Sequence, residues 1–122
     1  MIKHDIETER DITNLVHQFY AKVRKDDLLA PVFNSIIKEN WERHLQIMCN
    51  FWSTILLYSK KYLNDPMAKH LSMPLEKKHF DKWLLLFEET IDELFSGSTA
   101  TDAKNRANNI ARIMKSVKQI PL

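Results

Sequence analysis

Three polar-tipped side chains fall on stretches of the sequence that are otherwise apolar. Tyr20 lies at the edge of one apolar helical stripe, and Trp83 lies within another. His44 precedes Met48 by one helical turn, so both side chains share one face of a third helix. Buried hydroxyl and indole N–H groups need hydrogen-bond partners. Several such groups in one interior therefore favour a polar guest.

His70 stands apart from these residues because proline lies on both sides of it. The Asp65-Pro66 pair is typical of a helix start, and residues 72–74 end in a second proline. The sequence thus predicts a short helix over 67–71. A helix limited in this way would hold the His70 imidazole in one direction.

Other interpretations of these residues stay open from the pattern alone. Histidine, tryptophan and methionine at helical spacing are also typical of an ordinary core, and Cys49 is most simply a small buried hydrophobic residue. Glu76-x-x-His79 is half of the motif with which helical bundles bind two irons. That motif needs a second copy, which the sequence lacks, so a di-iron centre is disfavoured.

Composition excludes several classes of protein. The 122 residues predict one domain over 1–122, and the single glycine, Gly97, is too few for a phosphate-binding loop or a β-rich fold. The single cysteine excludes an internal disulfide and the thioether attachment of c-type haem. A net charge of +2 gives no general attraction to nucleic acid. With no apolar signal core and no membrane-length apolar run, we expect a cytoplasmic protein without nucleic-acid or membrane partners.

Helical patterns cover most of the chain and predict an all-α fold. A capping box at Thr8-x-x-Asp11 begins a helix that carries an apolar stripe to Val23, and Pro31 is expected to interrupt the chain before a connector over 33–37. A second helix is expected from Trp41 to Tyr58, with Asn40 as its N-cap. After the short helix over 67–71, a long helix from about Phe80 should stop at Gly97, and a last helix should begin near Thr99 or Thr101.

Charges on the last two helices are of opposite sign. The later helix is basic and the helix before it is acidic around 88–93. If these helices pack antiparallel, the two runs should face each other as solvated, partly paired surfaces.

The order and spacing of these landmarks resemble the truncated haemoglobins, and specifically their third group. The resemblance covers nearly the whole chain and is carried by the following motifs: Phe19-Tyr20-x-x-Val23-Arg24, Pro31-Val32-Phe33, Trp41-x-x-His44, Asn50-Phe51-Trp52, Tyr62-x-x-x-Pro66-x-x-x-His70-Leu71, His79-Phe80-x-x-Trp83-Leu84-x-x-Phe87 and Arg106-Ala107-x-x-Ile110-Ala111. The scarcity of glycine also resembles the third group. Asn64 stands where relatives often have glycine, and asparagine tolerates a left-handed backbone comparatively well.

The resemblance implies a two-over-two helical sandwich around a b-type haem. His70 corresponds to the proximal iron ligand, and the distal residues around a diatomic ligand correspond to Tyr20, His44 and Trp83. The haem pocket is expected to include Phe33, Met48, Phe51, Met67, Met73 and Phe80. We expect Lys69 and His79 on the side of the haem propionates.

A haem protein of this type is expected to bind O₂, NO and CO reversibly. A polar distal pocket that retains O₂ favours redox chemistry over transport, such as NO oxidation or a peroxidase-like reaction, with an external reductase. The alternative is a haem-free helical module in which the aromatics are core and the basic last helix binds an acidic partner. The two hypotheses differ in the expected effect of His70→Ala, which should remove the haem from a globin but should be nearly neutral in a helical module.

Overall fold

Helices account for most of residues 3–60 and 75–117, the part of the chain that the computed structural model describes. They are α1 (Glu9–Val23), α2 (Ala30–Ile37), α3 (Trp41–Leu57), α4 (Lys77–Leu94) and α5 (Ser98–Val117). These ranges contain no strand, as predicted for an all-α fold. The predicted short helix over 67–71 lies outside them, with Met67, Lys69, His70 and Met73. Within the same ranges, no helix is long and apolar enough to cross a membrane.

Helix α1 begins at the predicted capping box. The Thr8 hydroxyl accepts a hydrogen bond from the Asp11 backbone N–H at 3.2 Å, and the Asp11 carboxylate accepts one from the Thr8 N–H at 3.0 Å. Two backbone donors at the helix end are thereby satisfied. The apolar stripe that follows is buried, and it includes Phe19 and Tyr20. The capping box therefore fixes the residue at which α1 begins.

Pro31 does not interrupt the chain, and this prediction was wrong. It lies in the first turn of α2, where the backbone N–H has no partner within the helix and the ring's fixed φ suits helical geometry. The helix continues through 33–37, the stretch that had been expected to be a connector. As a result, Phe33 and Ile37 lie on one helical face and are both buried.

Helix α3 starts at Trp41 as predicted and ends at Leu57, one residue earlier than predicted. Tyr58 ends it in a left-handed conformation with φ 58°. Asn40 occupies the N-cap position, but its side chain makes no capping hydrogen bond. Cys49 is buried on this helix, and burial raises the pKa of its thiol, as expected for a small hydrophobic residue.

Gly97 does not terminate α4, which ends three residues earlier at Leu94. With φ 145°, Gly97 lies instead in the turn before α5, where a Cβ would approach within 2.3 Å of Asp5 Cγ. Asp5 uses this space to cap α5: its carboxylate accepts hydrogen bonds from the N–H groups of Thr99 at 2.9 Å and Ala100 at 2.8 Å. Glycine is needed at position 97 because it lets the Asp5 carboxylate approach. That carboxylate caps α5, which begins at Ser98.

The four long helices pack as two connected pairs, since α1 contacts both α3 and α4, and α4 contacts α5. The predicted charge pairing between the last two helices is present. Lys104 pairs at 2.8 Å with Asp92 of the acidic run 88–93, and Lys115 pairs at 2.8 Å with Asp81, which lies before that run. Exposed pairs of this kind contribute only about 0–1 kcal/mol each, so apolar burial holds the two helices together.

Candidate functional site

An apolar cleft opens between the helices, and residues of α1, α2, α3, α4 and α5 line it. Its walls are Tyr20, Phe33, Met48, Phe51, Trp52, Leu75, His79, Phe80, Trp83, Ile110 and Met114. The cavity between these walls has a volume of about 40 Å³. Walls of this composition, mostly apolar with a few polar groups, are typical of small-molecule and cofactor sites.

Tyr20 and Trp83 bring two polar groups together in this apolar setting. The Trp83 indole N–H lies close enough to the Tyr20 hydroxyl to lower its pKa. Tyr20 is only 3% exposed, and burial raises the pKa of its hydroxyl far above the ordinary value, a larger effect than that of Trp83. The phenol therefore keeps its proton. That proton can be donated to a ligand in the cleft.

Aromatic packing fixes the position of Trp83. The rings of Trp83 and Phe87 are stacked in parallel with centroids 5.6 Å apart, and Phe87 stacks in turn on Trp52 at 4.7 Å. Phe19 meets both Trp83 and Phe87 edge-to-face, at 5.7 and 5.1 Å. Because Phe19, Trp52 and Phe87 are fully buried, the indole beside Tyr20 has a rigid support.

His44 lies beside the cleft and packs on Tyr20. The two ring centroids are 5.1 Å apart with the planes at 87°, and Trp41 packs edge-to-face on both rings. The structure thus brings all three predicted distal residues, Tyr20, His44 and Trp83, to one end of the site.

His79 lies on the cleft wall at the start of α4, and it is buried. Its Nδ1 accepts a hydrogen bond from the Glu76 backbone N–H at 3.0 Å. In the neutral imidazole the proton is therefore on Nε2, which can only donate. Glu76-x-x-His79 is thus a helix start in this structure, and the described ranges contain no cluster of three or more side chains able to bind a metal ion.

The predicted pocket residues can be compared with the observed cleft. Phe33, Met48, Phe51 and Phe80 line it together with Tyr20, Trp83 and His79. Met67, Met73, Lys69 and the predicted iron ligand His70 lie outside the described residues. The roles of all of these residues remain predictions.

Four cleft residues were not predicted: Trp52, Leu75, Ile110 and Met114. On α5, Ile110 and Met114 are one turn apart on the apolar stripe, which has the same pattern whether it faces a core or a cleft. Trp52 could have been predicted as a cleft residue from the Asn50-Phe51-Trp52 motif that contains it.

The described walls fit a haem. Aromatic and aliphatic side chains provide a broad apolar surface for a flat macrocycle, and a hydroxyl proton and an imidazole N–H offer hydrogen bonds at separate places. This donor set suits a group that is mostly apolar, with a polar ligand on it and carboxylates at its edge.

Comparisons with known proteins agree with this geometry. The family model for bacterial-like globins matches residues 4–119. The chain is 35% identical over 114 residues to the group 3 truncated haemoglobin ctb of Campylobacter jejuni, a match that covers 90% of each protein.

Solved structures show the same relationship. The crystal structure of the group III truncated haemoglobin from Campylobacter jejuni matches with a TM-score of 0.87 and 33% identity, over 95% of this chain and 94% of that one. The truncated oxygen-avid haemoglobin from Bacillus subtilis matches with a TM-score of 0.73 and 25% identity, over 88% and 92%. The chain therefore belongs to the bacterial-like globins as a truncated haemoglobin of the group III type, in a family that binds small gaseous ligands through haem.

Proposed function

We propose that this protein binds O₂ reversibly, as well as NO and CO, at a haem b ligated by His70. When bound, haem b supplies the iron to which such a ligand attaches. The observation that carries the proposal is the buried, protonated Tyr20 hydroxyl inside an apolar cleft, with the Trp83 indole beside it. A pair of this kind holds a hydroxyl proton ready for an acceptor in the cleft.

Tyr20 and Trp83 discriminate between ligands by charge. O₂ held in the cleft carries partial negative charge and accepts hydrogen bonds, whereas CO is nearly apolar and accepts weakly. A hydrogen bond to a charged acceptor contributes about 1.5–3 kcal/mol, so the Tyr20 O–H retains O₂ more strongly than CO. His44 lies at the edge of the same group of rings. It donates to the ligand, moves aside to admit it, or binds the iron itself when no ligand is present.

The remaining pocket residues enclose the cofactor. Phe33, Met48, Phe51 and Phe80 contact its apolar faces, together with Met67 and Met73. His79 and Lys69 bind the propionates. For His79, the proposal is supported by the bond from Glu76 to Nδ1, because this bond leaves the Nε2 proton to be donated to a carboxylate.

Tight retention of O₂ favours a redox role over transport. One such reaction is the oxidation of NO by O₂ to nitrate, which consumes one electron for each nitrate formed. A peroxidase-like reaction is the second. The cleft residues provide hydrogen-bond donors but are not themselves reductants. A separate reductase in the cytoplasm therefore supplies the electrons.

The test is the absorption spectrum of the purified protein, reduced and then exposed to CO. We expect a strong Soret band that shifts on CO addition, and a pyridine haemochrome spectrum of haem b. His70→Ala should lose the cofactor, whereas His17→Ala, at an exposed position on α1, should retain it. A protein that stays colourless after hemin addition, or a His70→Ala variant that binds hemin as well as His17→Ala does, would contradict the proposal.

A further inference from the structure

Trp41 contacts two of the three distal residues without lining the cleft itself. We infer that Trp41 is a positioning residue that holds the His44 ring against Tyr20, and that Arg24 and Asn34 in turn hold Trp41. The inference rests on the proposed function: it assumes that Tyr20 and His44 face the bound ligand and that His44 moves aside to admit it.

The three rings of Tyr20, Trp41 and His44 form a closed triangle. Their centroids are 5.1 Å apart for Tyr20 and His44, 5.7 Å for Trp41 and His44, and 5.9 Å for Tyr20 and Trp41. Each pair meets edge-to-face, with interplanar angles of 61° to 89°. In this triangle, His44 cannot leave its place without losing its contacts with both neighbours.

Trp41 is held from two other helices. Its indole N–H donates a hydrogen bond to the Asn34 side-chain oxygen on α2 at 3.0 Å. The Arg24 guanidinium, at the end of α1, lies 4.6 Å from the centroid of its ring, a cation–π contact. Trp41 is also buried, at 7% exposure. The Asn40 side chain makes no capping hydrogen bond, so these contacts of Trp41 hold the start of α3 in place.

The position of Trp41 in α3 connects these ties to the cleft. His44 follows Trp41 by three residues, so the two side chains are neighbours on one helical face. An aromatic pair of this type shifts an equilibrium by about two- to tenfold. Losing the Trp41 ring should therefore increase the population of displaced His44 by that factor, and ligand entry should accelerate accordingly.

The test measures CO association by flash photolysis of the haem-loaded protein. Trp41→Leu should accelerate CO association about two- to tenfold, and Arg24→Gln, on the surface, about two- to fivefold. Lys25→Gln removes the same charge at the adjacent exposed position and should change nothing. In a His44→Leu background, Trp41→Leu should add no further acceleration, because its effect is transmitted through His44.

A second readout reports on His44 directly. In the CO-saturated reduced protein, the His44 ring protons, assigned by comparison with His44→Gln, should be displaced in the NMR spectrum by the ring currents of Tyr20 and Trp41. Trp41→Leu should move these signals toward their positions in an exposed histidine such as His17. A loosened fold alone would not produce non-additivity with His44 together with this displacement.

The outcomes separate this inference from the proposed function. If Arg24→Gln and Trp41→Leu match Lys25→Gln in both readouts, Trp41 does not position His44. If the same accelerations appear in the His44→Leu background, Trp41 acts by another route and the inference is overturned. A failure to bind haem or CO at all would instead refute the proposed function.

Discussion

Replacing Tyr20 with phenylalanine removes one hydroxyl and keeps the ring that packs on Phe19 at 4.8 Å and on Phe33 at 6.4 Å. The loss is therefore the hydrogen bond from the Tyr20 O–H to the ligand, which contributes about 1.5–3 kcal/mol, or roughly 10- to 150-fold in a rate of release. The Trp83 N–H, which lies beside the Tyr20 oxygen in the wild type, can then turn to the ligand. This recovers part of the energy, so we expect O₂ release at least several-fold faster in Tyr20→Phe.

The assay is stopped-flow displacement of O₂ by excess CO. Tyr58→Phe is the matched control, because it deletes the same hydroxyl from a tyrosine that is 75% exposed. CO release should change little in either variant, since CO accepts hydrogen bonds weakly. A second replacement, Trp83→Phe, added to Tyr20→Phe should accelerate O₂ release further. Equal O₂ release from Tyr20→Phe and Tyr58→Phe would refute the reasoning and remove Tyr20 from the ligand site.

Three further predictions concern the fold that supports the site. Hydrogen bonds from backbone N–H groups outweigh burial at Asp5 and lower its carboxyl pKa, so its contribution to stability is present above pH 4 and is lost as the pH falls through the folded pKa. Asp5→Asn should therefore lower the free energy of unfolding by about 0.5–2 kcal/mol at pH 7. In urea titrations, the difference between Asp5→Asn and the wild type should be smaller at pH 2. Gly97→Ala should cost more than about 1 kcal/mol, because the new Cβ meets the Asp5 carboxylate and φ is 145°, and a loss no larger than that of Ala100→Gly would contradict this. Phe87→Ala should lower the unfolding free energy by about 3–5 kcal/mol by calorimetry, far more than Leu85→Ala on the exposed face.

Local sequence patterns predicted a helix end correctly where the residue type found there has a single structural role. The Thr8-x-x-Asp11 box starts α1 because its two side chains satisfy neighbouring backbone donors, an interaction confined to four residues. Pro31 and Gly97 were misinterpreted because each residue type has two roles. Proline ends a helix from within but suits its first turn, and glycine ends a helix but also permits close approach by a distant side chain. The Asp5 carboxylate that needs Gly97 is far away in sequence, so no local pattern contains this contact.

The candidate site could be predicted only in part, for the same physical reason. Tyr20, His44 and Trp83 were recognisable because a polar tip on an apolar stripe is unusual, and the resemblance to truncated haemoglobins ordered them around a cofactor. Ile110 and Met114 could not be recognised in this way, because the sequence pattern of an apolar side chain is the same whether it packs on protein or lines a cleft. The approach of Trp83 to Tyr20 is between two helices and depends on how they cross, which spacing along the chain does not encode.

The orientation of these rings connects the core to the ligand site. A hydrogen bond weakens steeply when its geometry departs from the preferred distance and angle, so Tyr20 can act as a donor only if its ring is held still. On one side, Trp83 is held by stacking on Phe87, and on the other, Trp41 packs against the Tyr20 ring. Each support comes from a different helix. Consequently a core substitution such as Phe87→Ala should affect O₂ release as well as stability, although Phe87 is absent from the cleft wall.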